Sequence, residues 1–101
     1  PELSIADGPR AAVGAVRAAV EPDFSVLIDS GFGHGTDVVK ALALGADAVL
    51  LGRPLLYAVA AGGEALVAST IGTMKQEIDR TLAQLGCRSV KALHAGLLHR
   101  V

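Results

Sequence analysis

The chain has 101 residues, which is enough for one domain. Its net charge is −1, with acids and bases mixed along the sequence, and this excludes the basic stripe that nucleic-acid binding requires. Apolar residues make up 51% of the chain but are mostly Ala, Leu and Val, and only 3% of the residues are aromatic. Because small cores usually rely on large aromatic anchors, this composition predicts a piece of a larger body.

The composition also bears on membranes and on cellular location. Asp47, Arg53 and Glu64 interrupt the apolar region, so we expect no membrane span, and no signal peptide is visible at the amino terminus. The single cysteine, Cys87, excludes an internal disulfide and favours a reducing compartment, so the expected location is the cytoplasm. We expect Cys87 itself to be a small packed residue.

The first predicted helix begins at Pro9, because proline suits the first helical position. Three valines follow on one face at helical spacing, and Pro22 ends the helix. Residues 24–29 are short, mostly aliphatic and without polar alternation. This pattern predicts a parallel strand that is buried on both faces.

The second predicted helix follows the glycine-rich residues 31–35. Thr36 is placed to cap this helix, Asp37 lies in its positive first turn, and Gly45 is a natural stop. A second buried strand is predicted over residues 48–51. The order is therefore strand, loop, helix and strand, as in a parallel crossover.

Two further helices are predicted in the remaining sequence. A short helix covers residues 55–61, and Gly62 and Gly63 end it. A longer helix covers residues 64–85, where apolar residues recur every three or four positions in one continuous stripe. Residues 87–101 are predicted to form a tail with weak helical character.

These elements predict an α/β fold of about two parallel strands with flanking helices, which is too few strands for a closed sheet. A whole (β/α)8 barrel takes about 250 residues, so we expect residues 1–101 to be a single partial domain, the C-terminal quarter of such a barrel. The first residue is Pro1 and the sole methionine is Met74, which favours a cut or processed polypeptide. We expect open strand edges in the isolated chain.

Glycine follows both predicted strands, within Asp-Ser-Gly at residues 29–31 and Leu-Gly-Arg at residues 51–53. Glycine lets backbone N–H groups approach a phosphate with no Cβ in the way, and the last loops of a barrel often hold a phosphate in this manner. The guanidinium of Arg53 matches the geometry of phosphate oxygens. The two strand ends are therefore predicted to form the halves of one phosphate cradle, with a surface ion pair as the alternative role for Arg53.

A longer series of motifs runs from residue 26 to residue 93. It comprises Leu-Ile-Asp-Ser-Gly-Phe at 27–32, Gly-Thr-Asp at 35–37, Lys-Ala-Leu-Ala-Leu-Gly-Ala-Asp-Ala-Val at 40–49, Gly-Arg-Pro at 52–54 and Glu-Ile-Asp-Arg-Thr-Leu at 77–82. With these motifs the chain resembles the C-terminal part of the FMN-dependent α-hydroxy-acid dehydrogenases, the family of mandelate dehydrogenase, flavin lactate dehydrogenase and glycolate oxidase. Other phosphate-binding barrels, such as IMP dehydrogenase, carry similar glycine and Lys-Ala-Leu patterns, but the last two motifs together favour the hydroxy-acid family.

The resemblance implies a flavin-dependent oxidoreductase that moves a hydride equivalent from the α-carbon of a small 2-hydroxy acid to FMN. This chain is then the portion that holds the FMN phosphate, with Asp29 as acceptor for a cofactor hydroxyl. The implied cofactor-binding residues are Asp29, Ser30, Gly31, Phe32, Gly33, Gly52 and Arg53. No catalytic residue and no metal ligand is expected here. The expected partners are the remainder of the parent barrel and, in a homo-oligomer, further copies.

The sequence departs from this family in the first glycine loop. Relatives have two arginines where this chain has Gly33 and His34, and the first of those arginines normally reaches the phosphate. Losing one charge-assisted bond of about 1.5–3 kcal/mol is expected to weaken FMN binding by about 10- to 100-fold. If His34 is protonated and lies beside the phosphate, its charge partly replaces that of the missing arginine. The alternative is that His34 is a solvated loop residue without contact to the phosphate.

The second departure concerns the catalytic histidine. In the family it lies in a His-Gly-Gly-Arg type motif which, by spacing, is expected upstream of Pro1. His94 and His99 lie in the predicted tail without an accompanying ligand set, and we interpret them as surface residues. We therefore expect the 101-residue chain to be inactive alone.

Two other interpretations stay open. The chain is alternatively a non-enzymatic half-barrel or degenerate remnant that binds a phosphorylated ligand or pairs with another chain, and the altered loop at Gly33 and His34 favours this. It is alternatively part of a barrel enzyme from another phosphate-binding family, for which no 2-hydroxy-acid activity is expected. A His-Gly-Gly-Arg motif within about 10 residues upstream of Pro1 discriminates between the oxidoreductase and the remnant.

Overall fold

The computed structural model describes residues 3–5, 12–29 and 32–100. In chain order the elements are strand β1 (Leu3–Ile5), helix α1 (Ala12–Ala19), strand β2 (Leu27–Ile28), helix α2 (Gly35–Ala43), strand β3 (Ala48–Val49), helix α3 (Arg53–Leu85), two 3-10 helices (Val90–Ala92 and Ala95–Leu97) and strand β4 (Leu98–Arg100). The described strands form two separate parallel pairs, β1 with β4 and β2 with β3. The start of the first helix predicted at Pro9 lies outside the described residues.

The predicted parallel crossover is present as β2, α2 and β3, with Leu27 opposite Ala48 and Ile28 opposite Val49. Both strands are shorter than predicted. Residues 21–24 form a turn, in which the N–H of Phe24 donates to the carbonyl oxygen of residue 21 at 3.0 Å, and Val26 still accepts from the N–H of Asp47 at 2.7 Å. Among the described residues no third strand joins this pair, so the ladder has no neighbour to lengthen it.

The two strands are buried on one face only, so the prediction of burial on both faces is wrong for this chain. Val26 belongs to the core, whereas Leu27 is 59% exposed and Leu50 is 51% exposed. Strands of a parallel sheet are normally covered on both sides. The apolar face of Leu27 and Leu50 is therefore left uncovered by the described chain.

The core lies between this strand pair and its helices, and it is built mainly from small aliphatic side chains. Its buried members are Val13, Val26, Phe32, Val38, Ala41, Ala46 and Met74. Val39, on α2, has 0% exposure. Helix α2 is thus the central element, and the second half of α3 packs against it.

Helix α3 consists of two helical segments that meet at Gly63, where φ is 64° and ψ is −149°. The sequence predicted this break, although the first segment begins at Arg53 instead of residue 55. Gly86 ends the second segment in the left-handed conformation, with φ of 74°, as predicted. Met74 and Leu82 of the second segment are buried, whereas large apolar side chains of the first segment are exposed.

By length and composition alone, Arg53–Leu85 is long and apolar enough to cross a membrane, and only 6% of the apolar window is buried. The sequence analysis required an uninterrupted apolar run and so excluded this segment on account of Arg53 and Glu64. A mean hydropathy taken over a window of the helix can stay high although single charged residues occur in the segment. The helix is compatible with membrane association, but its buried contacts with α2 also suit the wall helix of a larger fold.

The C-terminal segment differs from the predicted weakly helical tail. Two 3-10 helices lead into β4, which pairs in parallel with β1 so that Leu3 lies opposite Leu98. Half-buried Cys87 begins this segment, and its Sγ lies 3.9 Å from the carbonyl oxygen of Ala92. The two paired strands lie at opposite ends of the chain, and their pairing produces no repeating pattern of apolar residues within a short stretch of sequence. The sequence pattern therefore did not predict it.

A hydrogen-bond network around Arg17 holds the strand entries to α1. Its guanidinium donates to the carboxylate of Asp47 at 3.1 Å, to the carbonyl oxygen of Glu21 at 2.9 Å and to that of Phe24. The same carboxylate oxygen of Asp47 accepts from the N–H of Val26 at 2.8 Å. The network lies at the amino ends of β2 and β3, so we assign it to stability and not to ligand binding.

Replacing Arg17 by Ala is expected to lower the free energy of unfolding by about 1–3 kcal/mol, because three acceptors, two in the loop before β2 and one in the loop before β3, lose a charged donor. Urea unfolding followed by circular dichroism measures this. Arg88→Ala is the matched control, since Arg88 is exposed and makes no described hydrogen bond, and it should change stability by less than about 0.5 kcal/mol. Equal effects from the two substitutions would contradict the role assigned to Arg17.

Candidate functional site

An open cleft of about 620 Å³ lies at the carboxyl ends of β2 and β3. Its lining residues are Asp29, Phe32, Gly33, Leu50, Gly52, Arg53 and Pro54. Five of them are residues that the sequence analysis assigned to cofactor binding, and the other two assigned residues, Ser30 and Gly31, lie outside the described residues. The two strand exits meet here because adjacent parallel strands end at the same edge of a sheet. The role of these residues in binding stays a prediction.

Arg53 places a guanidinium in the cleft lining at the start of α3, directly after the N-cap Gly52. The side chain is exposed, and the described residues offer it no ion pair, so the alternative of a surface ion pair has no partner there. The first N–H groups of a helix lack intrahelical acceptors and carry partial positive charge. Arg53 and the helix start together favour an anion in this part of the cleft.

The two glycines of the lining leave room for a ligand. A Cβ built on Gly33 or on Gly52 meets no atom within 4 Å, so neither glycine is required by packing within the described chain. Open space beside the backbone allows a phosphate oxygen to approach closely. This is the feature that the sequence pattern predicted.

Asp29 and Phe32 make different contributions to the lining. Asp29 is exposed at the end of β2 and makes no described hydrogen bond, so its carboxylate is available to accept from a ligand hydroxyl. The side chain of Phe32 is only 3% exposed and belongs to the core. Contact between Phe32 and a ligand is therefore restricted mainly to its backbone.

Leu50 and Pro54 also line the cleft, and the sequence analysis did not assign them. Leu50 is the residue between the end of β3 and the glycine exit, and it is half exposed although apolar. Its position next to the predicted loop is the signal that could have identified it. An apolar wall beside the charged groups suits a ligand that is polar at one end only.

Asp37 organises the loop that forms one side of the cleft. Its carboxylate oxygen accepts from the N–H of His34 at 3.2 Å and from the N–H of Gly33 at 3.3 Å. His34, in extended conformation with φ of −137°, is therefore the N-cap of α2, and the prediction that Thr36 caps this helix is wrong. Asp37 at the third helical position reaches back to the loop, so the helix starts before Thr36 and includes it.

His34 points to α3 and not into the cleft. Its Nδ1 lies 3.4 Å from the Oε2 of Glu77, and it is absent from the cleft lining. The side chain is 75% exposed, which agrees with the alternative of a solvated loop histidine, and Glu77 is a carboxylate neighbour that the sequence did not indicate. Gly33, which precedes it, therefore gains no compensating charge from this residue.

Replacing Asp37 by Ala is expected to lower the free energy of unfolding by about 1 kcal/mol, because two backbone N–H groups lose their acceptor at the start of α2. Thermal and urea unfolding measure the change. Asp79→Ala is the control, since Asp79 is an exposed acid of α3 without a described hydrogen bond. A loss of stability in Asp37→Ala but not in Asp79→Ala supports the capping role of Asp37. Unchanged stability in Asp37→Ala would contradict that role.

The described lining of the cleft offers groups that can bind an anion and a hydroxyl. It combines one guanidinium, one helix start and one carboxylate. Within the described ranges no three His, Cys, Asp or Glu side chains group together as a metal site. His94 and His99 are exposed in the C-terminal segment, as expected, and do not line the cleft. The arrangement suits a phosphate ester with a hydroxyl-bearing chain.

Comparison with known proteins gives matches along most of the chain. Residues 2–100 match the FMN-dependent dehydrogenase family. The chain is 60% identical over 68 residues to (S)-mandelate dehydrogenase of Pseudomonas putida, which covers 67% of this chain and 17% of that protein. It is 42% identical over 84 residues to L-lactate oxidase of a Nostoc species, which covers 83% of this chain and 23% of that protein.

The fold agrees with the sequence matches. A solved structure of an oxidized active mutant of (S)-mandelate dehydrogenase superposes with a TM-score of 0.83 at 48% identity, over 89% of this chain and 25% of that one. The chain thus spans only 17–25% of the length of these relatives. A helix-rich fold with few strands is consistent with part of a barrel. The chain belongs to the FMN-dependent dehydrogenase family.

Proposed function

We propose that this chain is the C-terminal, FMN-phosphate-binding portion of a flavin-dependent 2-hydroxy-acid oxidoreductase. The observation that carries the proposal is the single cleft that brings the two glycine exits together with Arg53. The cofactor is assigned from family membership, because the family consists of FMN-dependent dehydrogenases. The proposed position in the barrel is supported by the motifs of the two strand exits, and the chain spans 17–25% of the length of the relatives, which is about the share expected for such a portion.

The donor set of the cleft fits the phosphate end of FMN. The guanidinium of Arg53 and its backbone N–H at the start of α3 would hold the phosphate, although Pro54 has no N–H to add, and the space beside Gly33 and Gly52 would let the phosphate oxygens approach the backbone. Asp29 would accept from a hydroxyl of the ribityl chain. When bound, FMN supplies the site that accepts the hydride equivalent from the substrate α-carbon. The residues of this chain bind and orient the cofactor and hold no catalytic proton.

The exposed apolar face of Leu27 and Leu50 supports a partner that packs against this face of the strand pair. In this proposal the partner is the remainder of the parent barrel, which also binds the small 2-hydroxy acid and carries the catalytic histidine. The chain alone would then be inactive.

A second candidate is a non-enzymatic half-barrel that binds a phosphorylated ligand. The specific observation that favours it is the loop at Gly33 and His34, where the cleft receives no side-chain cation because His34 faces Glu77. This candidate predicts phosphate binding without any gain of oxidoreductase activity when the rest of a barrel is supplied.

A chimera tests the first candidate against the second. The matching segment of (S)-mandelate dehydrogenase from Pseudomonas putida is replaced by this chain, and flavin content and flavin reduction by (S)-mandelate are measured. We expect a folded, FMN-binding enzyme whose FMN affinity is about 10- to 100-fold lower, since one charge-assisted bond is missing. A chimera that is folded by circular dichroism and gel filtration, but takes up no FMN in excess cofactor, would contradict the proposal. Arg53→Ala in the same chimera is the matched loss-of-binding control.

A further inference from the structure

The loop that forms one side of the cleft is held at four successive positions. The side chain of Phe32 is 3% exposed and belongs to the core. The N–H groups of Gly33 and His34 both donate to the carboxylate of Asp37, at 3.3 and 3.2 Å. Gly35 is buried at the start of α2 and lies against the backbone of α3. Each of the four loop residues therefore has a contact that limits its movement.

Asp37 contacts this loop, whereas the described lining of the cleft does not include it. Like charges repel, so its carboxylate gains nothing from direct contact with a phosphate. One oxygen of the carboxylate accepts from two successive N–H groups, and Gly33, which carries one of them, does line the cleft. Because Asp37 lies in the first turn of α2, the position of Gly33 relative to Arg53 depends on this helix.

A loop that is already in place lowers the cost of binding a ligand. Fixing the backbone of one mobile residue on binding weakens affinity by about 5- to 30-fold. Without an acceptor for the N–H groups of Gly33 and His34, the ligand would have to order these residues itself. Only a ligand group beside Gly33 would bear that cost, and in the proposed binding mode this group is the phosphate.

We propose that Asp37 is a positioning residue for the flavin phosphate, because its carboxylate holds the loop at Gly33 in the binding conformation before the cofactor arrives. The inference rests on the proposed function, since it concerns the same phosphate position. It goes beyond the capping of α2, which affects stability alone. It requires that loss of the Asp37 carboxylate weakens the binding of a phosphorylated flavin more than that of an unphosphorylated one.

The test compares the dissociation constants of FMN and riboflavin, measured by flavin fluorescence on the purified 101-residue chain and on Asp37→Ala after circular dichroism has shown that both are folded. We expect Asp37→Ala to bind FMN about 5- to 30-fold more weakly and riboflavin within about twofold of the unsubstituted chain. A purely structural role would lower both affinities equally, so the ratio of the two constants isolates the positioning role. Asp37→Asn keeps an acceptor oxygen and should restore FMN binding to within about threefold.

Asp79→Ala is the matched control for the removal of an acidic side chain. Asp79 is exposed in α3 and does not belong to the described lining, so neither dissociation constant should change. Three results would overturn the inference and leave the proposed function intact: a ratio that changes by less than about twofold in Asp37→Ala, tighter FMN binding by Asp37→Ala, or Asp37→Asn as weak as Asp37→Ala. Equal affinity of the unsubstituted chain for both flavins would instead overturn the proposed phosphate site, and the inference with it.

A measurement on the unsubstituted chain decides the case in which Asp37→Ala does not fold. Backbone 15N relaxation without cofactor reports the order of Gly33 and His34 directly. We expect order parameters of about 0.85 for both N–H groups, as in rigid backbone. Values below about 0.6 would show that the loop is not in place before the cofactor binds, and they would overturn the inference.

Discussion

Replacing Arg53 by Ala is expected to weaken FMN binding by about 10- to 100-fold, because the cleft loses the only guanidinium that the described residues place in its lining. A hydrogen bond to a charged group contributes about 1.5–3 kcal/mol, and about 1.4 kcal/mol corresponds to a tenfold change in the dissociation constant. The FMN affinity of Arg53→Lys should lie between those of the unsubstituted chain and Arg53→Ala, since lysine keeps the charge and loses the planar guanidinium. Flavin fluorescence titration measures all three proteins.

Two controls make this expectation specific to the phosphate. Arg88→Ala removes an exposed arginine that does not line the cleft, and its FMN affinity should match that of the unsubstituted chain. Riboflavin, which lacks the phosphate, should bind the Arg53→Ala variant and the unsubstituted chain equally weakly. A loss of less than about threefold in FMN affinity for Arg53→Ala would contradict the assignment of Arg53 to the phosphate.

Replacing Gly35 by Ala is expected to lower the free energy of unfolding by about 1–3 kcal/mol, toward the upper end of that range. An added Cβ would lie 2.6 Å from the Cβ of Glu77, 2.7 Å from the carbonyl oxygen of Met74 and 2.8 Å from the backbone N of Ile78. Two of these atoms belong to the backbone of α3, so no side-chain rotation relieves the clash. The start of α2 and the middle of α3 must then separate, and urea unfolding measures the cost.

Gly14→Ala is the matched control for Gly35→Ala, because Gly14 is also a helical glycine. There an added Cβ would make an ordinary contact, at 3.7 Å from the Cδ2 of Leu44. Ala is favoured over Gly by about 1 kcal/mol within a helix, so Gly14→Ala should be neutral or stabilising. If both substitutions change the free energy of unfolding by the same amount and in the same direction, the close approach of α2 and α3 is not the reason that Gly35 is required.

The parts of the fold that sequence predicted are those with a local signal. The α2 segment has glycine-rich flanks and an apolar face. The break in α3 lies at Gly63, the second residue of a glycine pair. Gly86 lies where the apolar stripe of α3 ends. The convergence of the two glycine exits followed from one topological fact, that neighbouring parallel strands end at one edge. Each of these needs only a short window of sequence.

The parts that sequence did not predict depend on distant residues. Nothing near Arg17 indicates that its guanidinium joins Asp47, 30 residues away, and the β1–β4 pairing joins the two ends of the chain. The exposure of Leu27 and Leu50 was missed for a related reason: their apolar run suits a strand covered on both faces, and the described chain covers one. The sequence left His34 either beside the phosphate or solvated, and it gave no sign of Glu77, which lies 43 positions later.

The central claim is that the cleft at the ends of β2 and β3 recognises the phosphate of FMN. The most direct measurement is a paired titration of FMN and riboflavin into the 101-residue chain, followed by flavin fluorescence. The account predicts saturable FMN binding in about the micromolar range and at least about tenfold weaker riboflavin binding. Equal affinity for the two flavins, or no FMN binding up to about 1 mM, would contradict it.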